Sequence, residues 1–484
     1  MIIDDPNERT LLKSPETAST LHGSLESQAA SSPSPPPYVF PHVSYQAISP
    51  PLAPRIMPRK KSRLRLGRHK TRKYFIVASV ALNCLFFLLW IRIIHGKDNL
   101  GGRSEHHADD SDIPHEPIRA VVPSPSLGRC VRNVTWTNTT RLSAEEEFVF
   151  SSDASFELQN PSSLLFLLSQ GALSGGHLEV VSSSQSVPVV LITARYHSRH
   201  VRDRANVCWM ERKRATGEGV GIFTPTAFDG QTAEDRIDFA IKLLLPSGSG
   251  SSLPIYNLET HLPSFSHAFD SLRNVLEFDH LVLHSQNEPI TAKSLFARNA
   301  TVQTSNALIS GTFDASMSLK LLTSNAPIDA TVNLRNQNIF TTSELVIQTR
   351  NAQLETDVNL MTSSASGQGG KFAVKAETSD GPLIMSFPAS PTRSVLNLDA
   401  QTSNSAASVW LNHAFEGDFT LSSSMIFVDR RPFLDPKKLR SVFYGDYQNG
   451  MVVGNVRWKL PVFKSKIQGS ARIATTNNIL KLYV

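Results

Sequence analysis

The residues best suited to chemistry in this chain are carboxylates in its second half. A polysaccharide hydrolase needs two carboxylates that converge on one sugar linkage. Four acidic residues lie on neighbouring apolar segments, but at unequal intervals, which predicts that they occupy different registers: Asp314, Asp329, Glu355 and Asp357. The pattern therefore does not predict a catalytic carboxylate pair.

Other catalytic and cofactor-binding patterns are weak. The chain has no HExxH, paired CxxC, P-loop or GxSxG sequence. Gly217, Gly219 and Gly221 form a glycine-rich string without the helix pattern and downstream acid of a dinucleotide site, which favours a turn. His106 and His107 beside Asp109 and Asp110 form a candidate weak metal cluster, which a solvated linker explains equally well. We therefore predict that the chain is not an enzyme and has no catalytic residues, metal or cofactor.

A turn motif recurs through the second half of the chain, where Ser or Thr is followed by Asn or Asp two residues later and an apolar residue at the sixth position. Its copies begin at Ser285, Thr304, Thr323, Thr349, Thr378, Thr402 and Thr475. Asn and Asp tolerate the left-handed conformation of tight turns and bond the backbone two residues on. Alternating apolar residues such as Leu281 and Leu283 precede the turns, which indicates strands.

One such repeat cannot bury its own apolar face, so the copies must stack. A period near 20 residues predicts a β-solenoid over residues 253–484. The Asn side chains are then expected to form a stabilising amide ladder. A sandwich of hairpins is the alternative, but hairpins would not need identical turns. Short β-branched runs over residues 128–252 predict a β-rich subdomain before the repeats, so the fold class is mainly β.

An apolar stretch over residues 74–94 has the length and composition of a transmembrane helix. Residues 55–73 hold ten basic residues and no acidic one, whereas the far flank is mixed and acidic. The positive-inside rule then places residues 1–73 in the cytosol and the remainder in a lumen or outside the cell. This predicts a single-pass type II protein of the plasma membrane or secretory pathway, with a stalk over residues 95–127.

The predicted cytosolic tail is rich in Pro and Ser, which indicates disorder. Pro35, Pro36 and Tyr38 belong to a PPxY sequence, the form that WW domains bind, although a Pro-rich tail can also produce it by chance. Residues 1–73 also contain 12 Lys and Arg against 5 Asp and Glu, in a chain of net charge +6. The remainder lacks the basic stripe that nucleic acid requires, so we expect no nucleic-acid partner.

Three sequons follow the apolar stretch and predict N-glycosylation at Asn133, Asn138 and Asn299. Cys130 and Cys208 would share an oxidising compartment, which favours a disulfide between them, with two buried thiols as the alternative.

The T-S-N-A/G-x-I copies resemble the repeats of adhesin-like domains in bacterial and fungal proteins of unknown function. The resemblance covers roughly residues 130–484 and is strongest from 281 to 383. The layout of Pro-rich tail, membrane segment and β body is similar to that of a fungal membrane-protein family with an uncharacterised β domain. That family has no established catalytic residues to carry over.

We therefore expect a non-catalytic, membrane-anchored protein for surface or cell-wall interaction. Its expected partners are a cell-wall glycan or a surface protein, and a WW-domain protein on the cytosolic side. Basic and aromatic residues over 427–460 are expected to cap the last repeat, with partner binding as the alternative. The alternative functions are a carbohydrate-active β-solenoid enzyme and a trafficking adaptor that acts through the PPxY tail.

Overall fold

The computed structural model describes residues 129–143, 145–159, 164–212, 217–225, 235–248, 253–338, 340–430, 439–458 and 468–484. All of them belong to the second of two units into which the chain divides, Asp112–Val484. This part of the chain forms a 27-stranded hydrogen-bonded sheet and one short helix, α1 Arg199–Arg204, which Ser198 caps through a hydrogen bond from the Val201 amide.

The strands before residue 250 are β1 Arg129–Asn133, β2 Thr137–Arg141, β3 Phe150–Glu157, β4 Leu164–Gln170, β5 Gly175–Ser183, β6 Val189–Tyr196, β7 Asn206–Arg212, β8 Gly217–Phe223 and β9 Ile237–Pro246.

The central strands are β10 Ile255–His261, β11 Ser264–Ser271, β12 Glu277–His284, β13 Ile290–Gln303, β14 Ile309–Leu322, β15 Ile328–Asn336, β16 Ser343–Gln348, β17 Leu354–Thr362, β18 Lys371–Glu377, β19 Leu383–Ser386, β20 Val395–Thr402 and β21 Ala407–Trp410. The last strands are β22 Gly417–Ser422, β23 Met425–Asp429, β24 Arg440–Tyr444, β25 Met451–Trp458, β26 Gly469–Thr475 and β27 Ile479–Tyr483.

Parallel pairing builds two ladders through the middle of the sheet. The first ladder runs in the order β8, β4, β10, β12, β13, β14, β16, β18, β20, β26 and β22. The second ladder runs in the order β9, β5, β11, β13, β14, β15, β17, β19, β21, β27 and β23. Strands β13 and β14 are each 14 residues long and take part in both ladders.

The core is one main hydrophobic cluster that includes residues from Phe156 to Val484. Along most strands apolar side chains alternate with exposed ones, as period-2 patterning requires. Fully buried rings lie along the length of the cluster, among them Phe239, Phe313 and Phe419. Burial of each such side chain contributes about 1.5–3 kcal/mol, so the stacked repeats are held together mainly by this core.

The prediction of a mainly β fold is confirmed, but the prediction of a β-solenoid is wrong. The sheet is not closed as a solenoid: it continues into antiparallel strands at both ends, in the orders β3–β6–β9 and β22–β25–β24. Strands β4 and β5 pair with β10 and β11, so the first nine strands share the sheet of the repeats. The prediction failed because the motif describes only one turn of each repeat. At β13 the chain passes from one ladder to the other within a single strand, through register shifts, and makes no second turn.

The predicted fold also included a transmembrane helix over residues 74–94. That segment lies outside the described residues, as do the tail and the stalk. Among the described residues, no helix is both long enough and apolar enough to cross a membrane.

The glycine-rich string does not form a turn. Gly217, Gly219 and Gly221 all lie on the fully buried strand β8. A Cβ at Gly219 would collide with the backbone oxygen of Phe166, and one at Gly221 with the Met210 side chain. The glycines are there because β8 packs too closely for side chains at these positions.

Candidate functional site

The first position of each motif copy forms a column of hydroxyls, which we call the corner column. Its seven members are buried: Ser285, Thr304, Thr323, Thr349, Thr378, Thr402 and Thr475. Each hydroxyl donates to a backbone carbonyl of the preceding repeat, as Thr378 does to Ala352 at 3.1 Å and Thr475 to Ser405 at 2.8 Å. The recurring Ser or Thr is therefore a structural residue that joins one repeat to the next.

A buried histidine completes the corner column at its N-terminal end. The Phe265 carbonyl accepts from the Ser285 hydroxyl and from Nδ1 of His267, each at 3.1 Å. Because a carbonyl only accepts, Nδ1 carries the proton, and Nε2 accepts from the Thr260 hydroxyl at 2.9 Å. Burial lowers the pKa of His267 to about 4, so the ring is neutral near pH 7.

The predicted amide ladder is confirmed. Each amide nitrogen donates to the side-chain oxygen of the preceding copy, over 2.6–2.7 Å, in the pairs Asn306–Asn287, Asn325–Asn306, Asn351–Asn325, Asn404–Asp380 and Asn477–Asn404. Asp380 has no amide hydrogen with which to donate to Asn351, so the ladder is interrupted there. Like the corner column, the ladder stabilises the stack and offers no chemistry of its own.

A second column differs in each of the last four copies, those that begin at Thr349, Thr378, Thr402 and Thr475. The residue eight positions after the motif start lies on the second ladder, and we call this set, with Asp429 at its end, the outer column. Its members are successive register partners: Asp357, Ser386, Trp410, Tyr483 and Asp429. An acid, a hydroxyl, two aromatic rings and a second acid are thus placed side by side on one surface.

The two rings of the outer column stack on each other. The centroids of Trp410 and Tyr483 are 4.6 Å apart and their planes differ by 2°. Tyr483 therefore covers one face of the indole. On the other side the register partner of Trp410 is Ser386, whose side chain is too small to cover a ring. Because Trp410 and Ser386 line the same groove, we infer that the indole face on the Ser386 side is open.

The open face of Trp410 borders a groove of about 500 Å³. The groove is also lined by Glu355, Asp357, Ser386, Asn412 and His413. The amide nitrogen of buried Asn412 donates to the carbonyls of Phe387 and Pro388, at 3.0 and 2.8 Å, which fixes the groove wall.

The groove has a negative character. Glu355 and Asp357 are both exposed on β17, and none of its described lining residues is Lys or Arg. The Ser386 hydroxyl donates to Oδ1 of Asp357 at 2.5 Å. Beyond Tyr483 lies a smaller groove of about 380 Å³, which Phe427, Asp429 and Lys481 line.

The four carboxylates singled out from the sequence have different environments. Asp314 is buried and bonded to Arg273 Nε at 2.8 Å and Asn333 Nδ2 at 2.6 Å, while burial raises the pKa of its carboxyl. Asp329 and Glu355 are direct register partners, and Asp357 follows on the same face. The prediction that their registers differ is therefore wrong for Asp329 and Glu355, because loops of unequal length precede strands that start in register, whereas Asp357 is paired with Thr331.

The structure contains a disulfide between Cys130 and Cys208, with 5.7 Å between the Cα atoms, which joins β1 to β7. Asn133 and Asn138 are exposed, whereas Asn299 is half-buried and its amide donates to the Asp279 carbonyl at 3.5 Å. Glycosylation remains a prediction at all three.

Two further predicted regions are only partly described. Pro35, Pro36 and Tyr38 lie outside the described residues. In the aromatic and basic stretch, Phe427, Phe443 and Tyr447 are exposed. Its strands β24 and β25 extend the first ladder beyond β22 in antiparallel pairing, at one end of the sheet.

Sequence reasoning missed Trp410, Tyr483, Ser386 and Asn412. The signal was available for the first three: when the motif copies are aligned on their first residue, all three fall at the same position, eight residues on. The copies at Thr378, Thr402 and Thr475 are 24 and 73 residues apart, so the intervening stretches hide this alignment.

No family model and no curated protein matches the chain. The chain is similar to two solved structures of adhesion-type proteins. One is a proposed cell adhesion protein from Clostridium sporogenes, at 9% identity and a TM-score of 0.15, over 69% of this chain and 99% of that one. The other is a proposed adhesin from Parabacteroides merdae, at 10% identity and a TM-score of 0.23, over 54% of this chain and 91% of that one. At these TM-scores the likeness carries no argument.

Proposed function

We propose that the chain is a non-catalytic, adhesin-like module that binds a polysaccharide in the groove beside Trp410. The observation that carries the proposal is the open indole face next to side chains that can bond hydroxyl groups. The C–H face of a pyranose packs against an electron-rich ring face, while its hydroxyls need acceptors and donors at the rim.

The spacing of the outer column suits one sugar ring. Trp410 and Asp357 are separated by the single intervening strand β19. Neighbouring strands are about 4.8 Å apart, so the two backbones are about 10 Å apart. A ring stacked on Trp410 above Ser386 would present its hydroxyl edge to Asp357.

The arrangement of the carboxylates favours binding over catalysis. Glu355 and Asp357 are two residues apart on one strand and both are exposed. A glycosidase places its two carboxyl groups on either side of the bond that breaks, in a site from which bulk water is excluded. Here both acids lie on the Ser386 side of Trp410, and both are exposed at the edge of the groove.

The disulfide supports an extracytosolic location for this module, because such bonds persist in oxidising compartments. In that setting a saccharide of the cell surface or cell wall is the partner that the groove would meet.

The test is a glycan array and calorimetric titration with the protein and two aromatic-to-alanine variants, Trp410→Ala and Phe443→Ala. Phe443 is exposed but lies on β24, away from the groove lining. We expect saturable binding that Trp410→Ala reduces at least roughly tenfold, an effect of about 1.4 kcal/mol, and that Phe443→Ala leaves unchanged. Loss of binding only in Phe443→Ala would overturn the proposal in favour of the C-terminal aromatic stretch. Release of reducing ends from the bound polymer would show an enzyme instead.

A further inference from the structure

The charge of the groove indicates which sugars it can accept. Glu355 and Asp357 both border the space beside Trp410. Asp329, the register partner of Glu355, adds a third exposed carboxylate to the same surface. No Lys or Arg is among the described lining residues, which leaves His413 as the one side chain among them that can carry a positive charge, against two carboxylates.

We propose that the groove selects amine-bearing sugars, the partly or fully deacetylated aminohexoses, over neutral N-acetylated sugars and uronic acids. This inference rests on the proposed function, because it names the sugar class for that binding site. A protonated amine gains Coulomb energy from the carboxylates and from the face of Trp410, whereas a uronate is repelled. For a neutral sugar, only stacking and hydrogen bonds contribute to the binding energy.

Neutral hydrogen bonds hold both acids in place. Oδ1 of Asp357 already accepts from Ser386, and Oε2 of Glu355 accepts from Gln353 at 2.7 Å. Each carboxylate keeps a second oxygen, and each retains its full negative charge in these neutral hydrogen bonds. A ligand amine therefore finds two acceptors that are held in place without being neutralised.

The second groove provides an internal contrast. Beyond Tyr483 the wall includes Lys481 as well as Asp429, so its charges are of both signs. An amine is favoured only on the Trp410 side of the aromatic pair. The preference should therefore depend on Glu355 and Asp357 and not on Asp429.

The experiment is calorimetric titration of the full-length protein with hexamers of glucosamine, N-acetylglucosamine and galacturonic acid, and with a lysine hexamer, at a slightly acidic pH that keeps the amines charged. The variants are Glu355→Gln/Asp357→Asn, Asp429→Asn and Glu344→Gln. Glu344 is an exposed acid on β16, in the first ladder, and controls for the loss of overall negative charge.

We expect glucosamine hexamer to bind roughly tenfold more tightly than its N-acetylated counterpart, and galacturonate not to bind detectably. The double variant should lose this preference while retaining the binding of the N-acetylated hexamer, and the other two variants should keep it. Equal affinity for the two aminohexose oligomers, a preference that survives in the double variant, or equally tight binding of the lysine hexamer would overturn the inference while leaving saccharide binding intact. Absence of binding to every sugar would instead remove the proposed function and the inference with it.

Discussion

The corner column and the outer column come from the same repeats, yet they differ in every respect that matters for function. The corner column is always Ser or Thr, is buried, and gives each hydroxyl to a carbonyl of the preceding repeat. The outer column changes from acid to hydroxyl to aromatic ring and lies at the surface. Recurrence therefore marks the residues that hold the stack together, and variation on the same framework marks the residues that can recognise a ligand.

The largest expected effect is a loss of stability on acidification, which arises at His267, at the N-terminal end of the corner column. The free energy of unfolding should fall by about 3 kcal/mol between about pH 6.5 and pH 4, because the unfolded chain takes up a proton that folded His267, with its pKa lowered to about 4, does not. The contribution of His267 to the free energy of unfolding is fully present above the pKa of this ring in the unfolded chain, and it is lost as the pH falls. Denaturant unfolding across this range checks it.

His267→Gln separates this contribution from that of other groups, including His284, whose pKa burial also lowers. The variant should show a shallower decline over the same range. NMR titration of the His267 ring gives an independent readout, and protonation of that ring near pH 6.5 would contradict the prediction.

Breaking the amide ladder at Asn325 should cost about 2 kcal/mol. Its amide donates to Asn306, and its oxygen accepts from Asn351, each at 2.6 Å, so Asn325→Ala removes two hydrogen bonds. Asn325→Asp keeps the acceptor and loses the donor, and should cost about half as much. Both variants should bind saccharide as the wild type does. Equal stabilities of the two variants would mean that the ladder does not act through these bonds.

Filling the gap in the outer column should abolish binding without loss of stability. In Ser386→Tyr the new ring would cover the open face of Trp410 and add about 1 kcal/mol of stacking energy. Calorimetry should then detect no saccharide binding, while the unfolding midpoint rises slightly. Ser386→Ala is the matched control, because it removes the hydroxyl bond to Asp357 and leaves the groove open. If Ser386→Tyr still bound saccharide, the open indole face would not be the site.

The smallest expected effect comes from restoring the amide ladder at Asp380, where it is interrupted. Asp380→Asn restores a donor that can reach Asn351, which should raise the free energy of unfolding by about 0.5 kcal/mol, since the charge-assisted bond from Asn404 is weakened at the same time. Asp418→Asn makes the same charge change at an exposed position on β22. A gain of equal size in both variants would assign the effect to charge rather than to the ladder.

Much of the framework was predictable from particular residues. The Ser or Thr and the Asn or Asp of each motif predicted the turns, and alternation around Leu281 and Leu283 predicted the strands. The amide ladder was predicted from the same Asn residues. The prediction of a β-solenoid was wrong, because the motif describes only one turn of each repeat and carries no information on how β13 and β14 connect the two parallel ladders.

The candidate site was harder to predict. Glu355 and Asp357 were noticed as acids, but Trp410 and Tyr483 are 73 residues apart and look unrelated in the sequence. Asn412 gives no signal at all, because its role is to hold a loop by bonds to Phe387 and Pro388.

The period-2 strands, the turns and the hydroxyl and amide columns follow from the amino-acid sequence, because each depends on local backbone preference or on a residue type that recurs from copy to copy. Which copies lie next to each other depends on strand pairing in the folded chain. Register between β19, β21 and β27 places Ser386 beside Trp410 and Trp410 beside Tyr483. An open aromatic face flanked by carboxylates exists only after that stacking, because no single repeat contains both its rings and its acids.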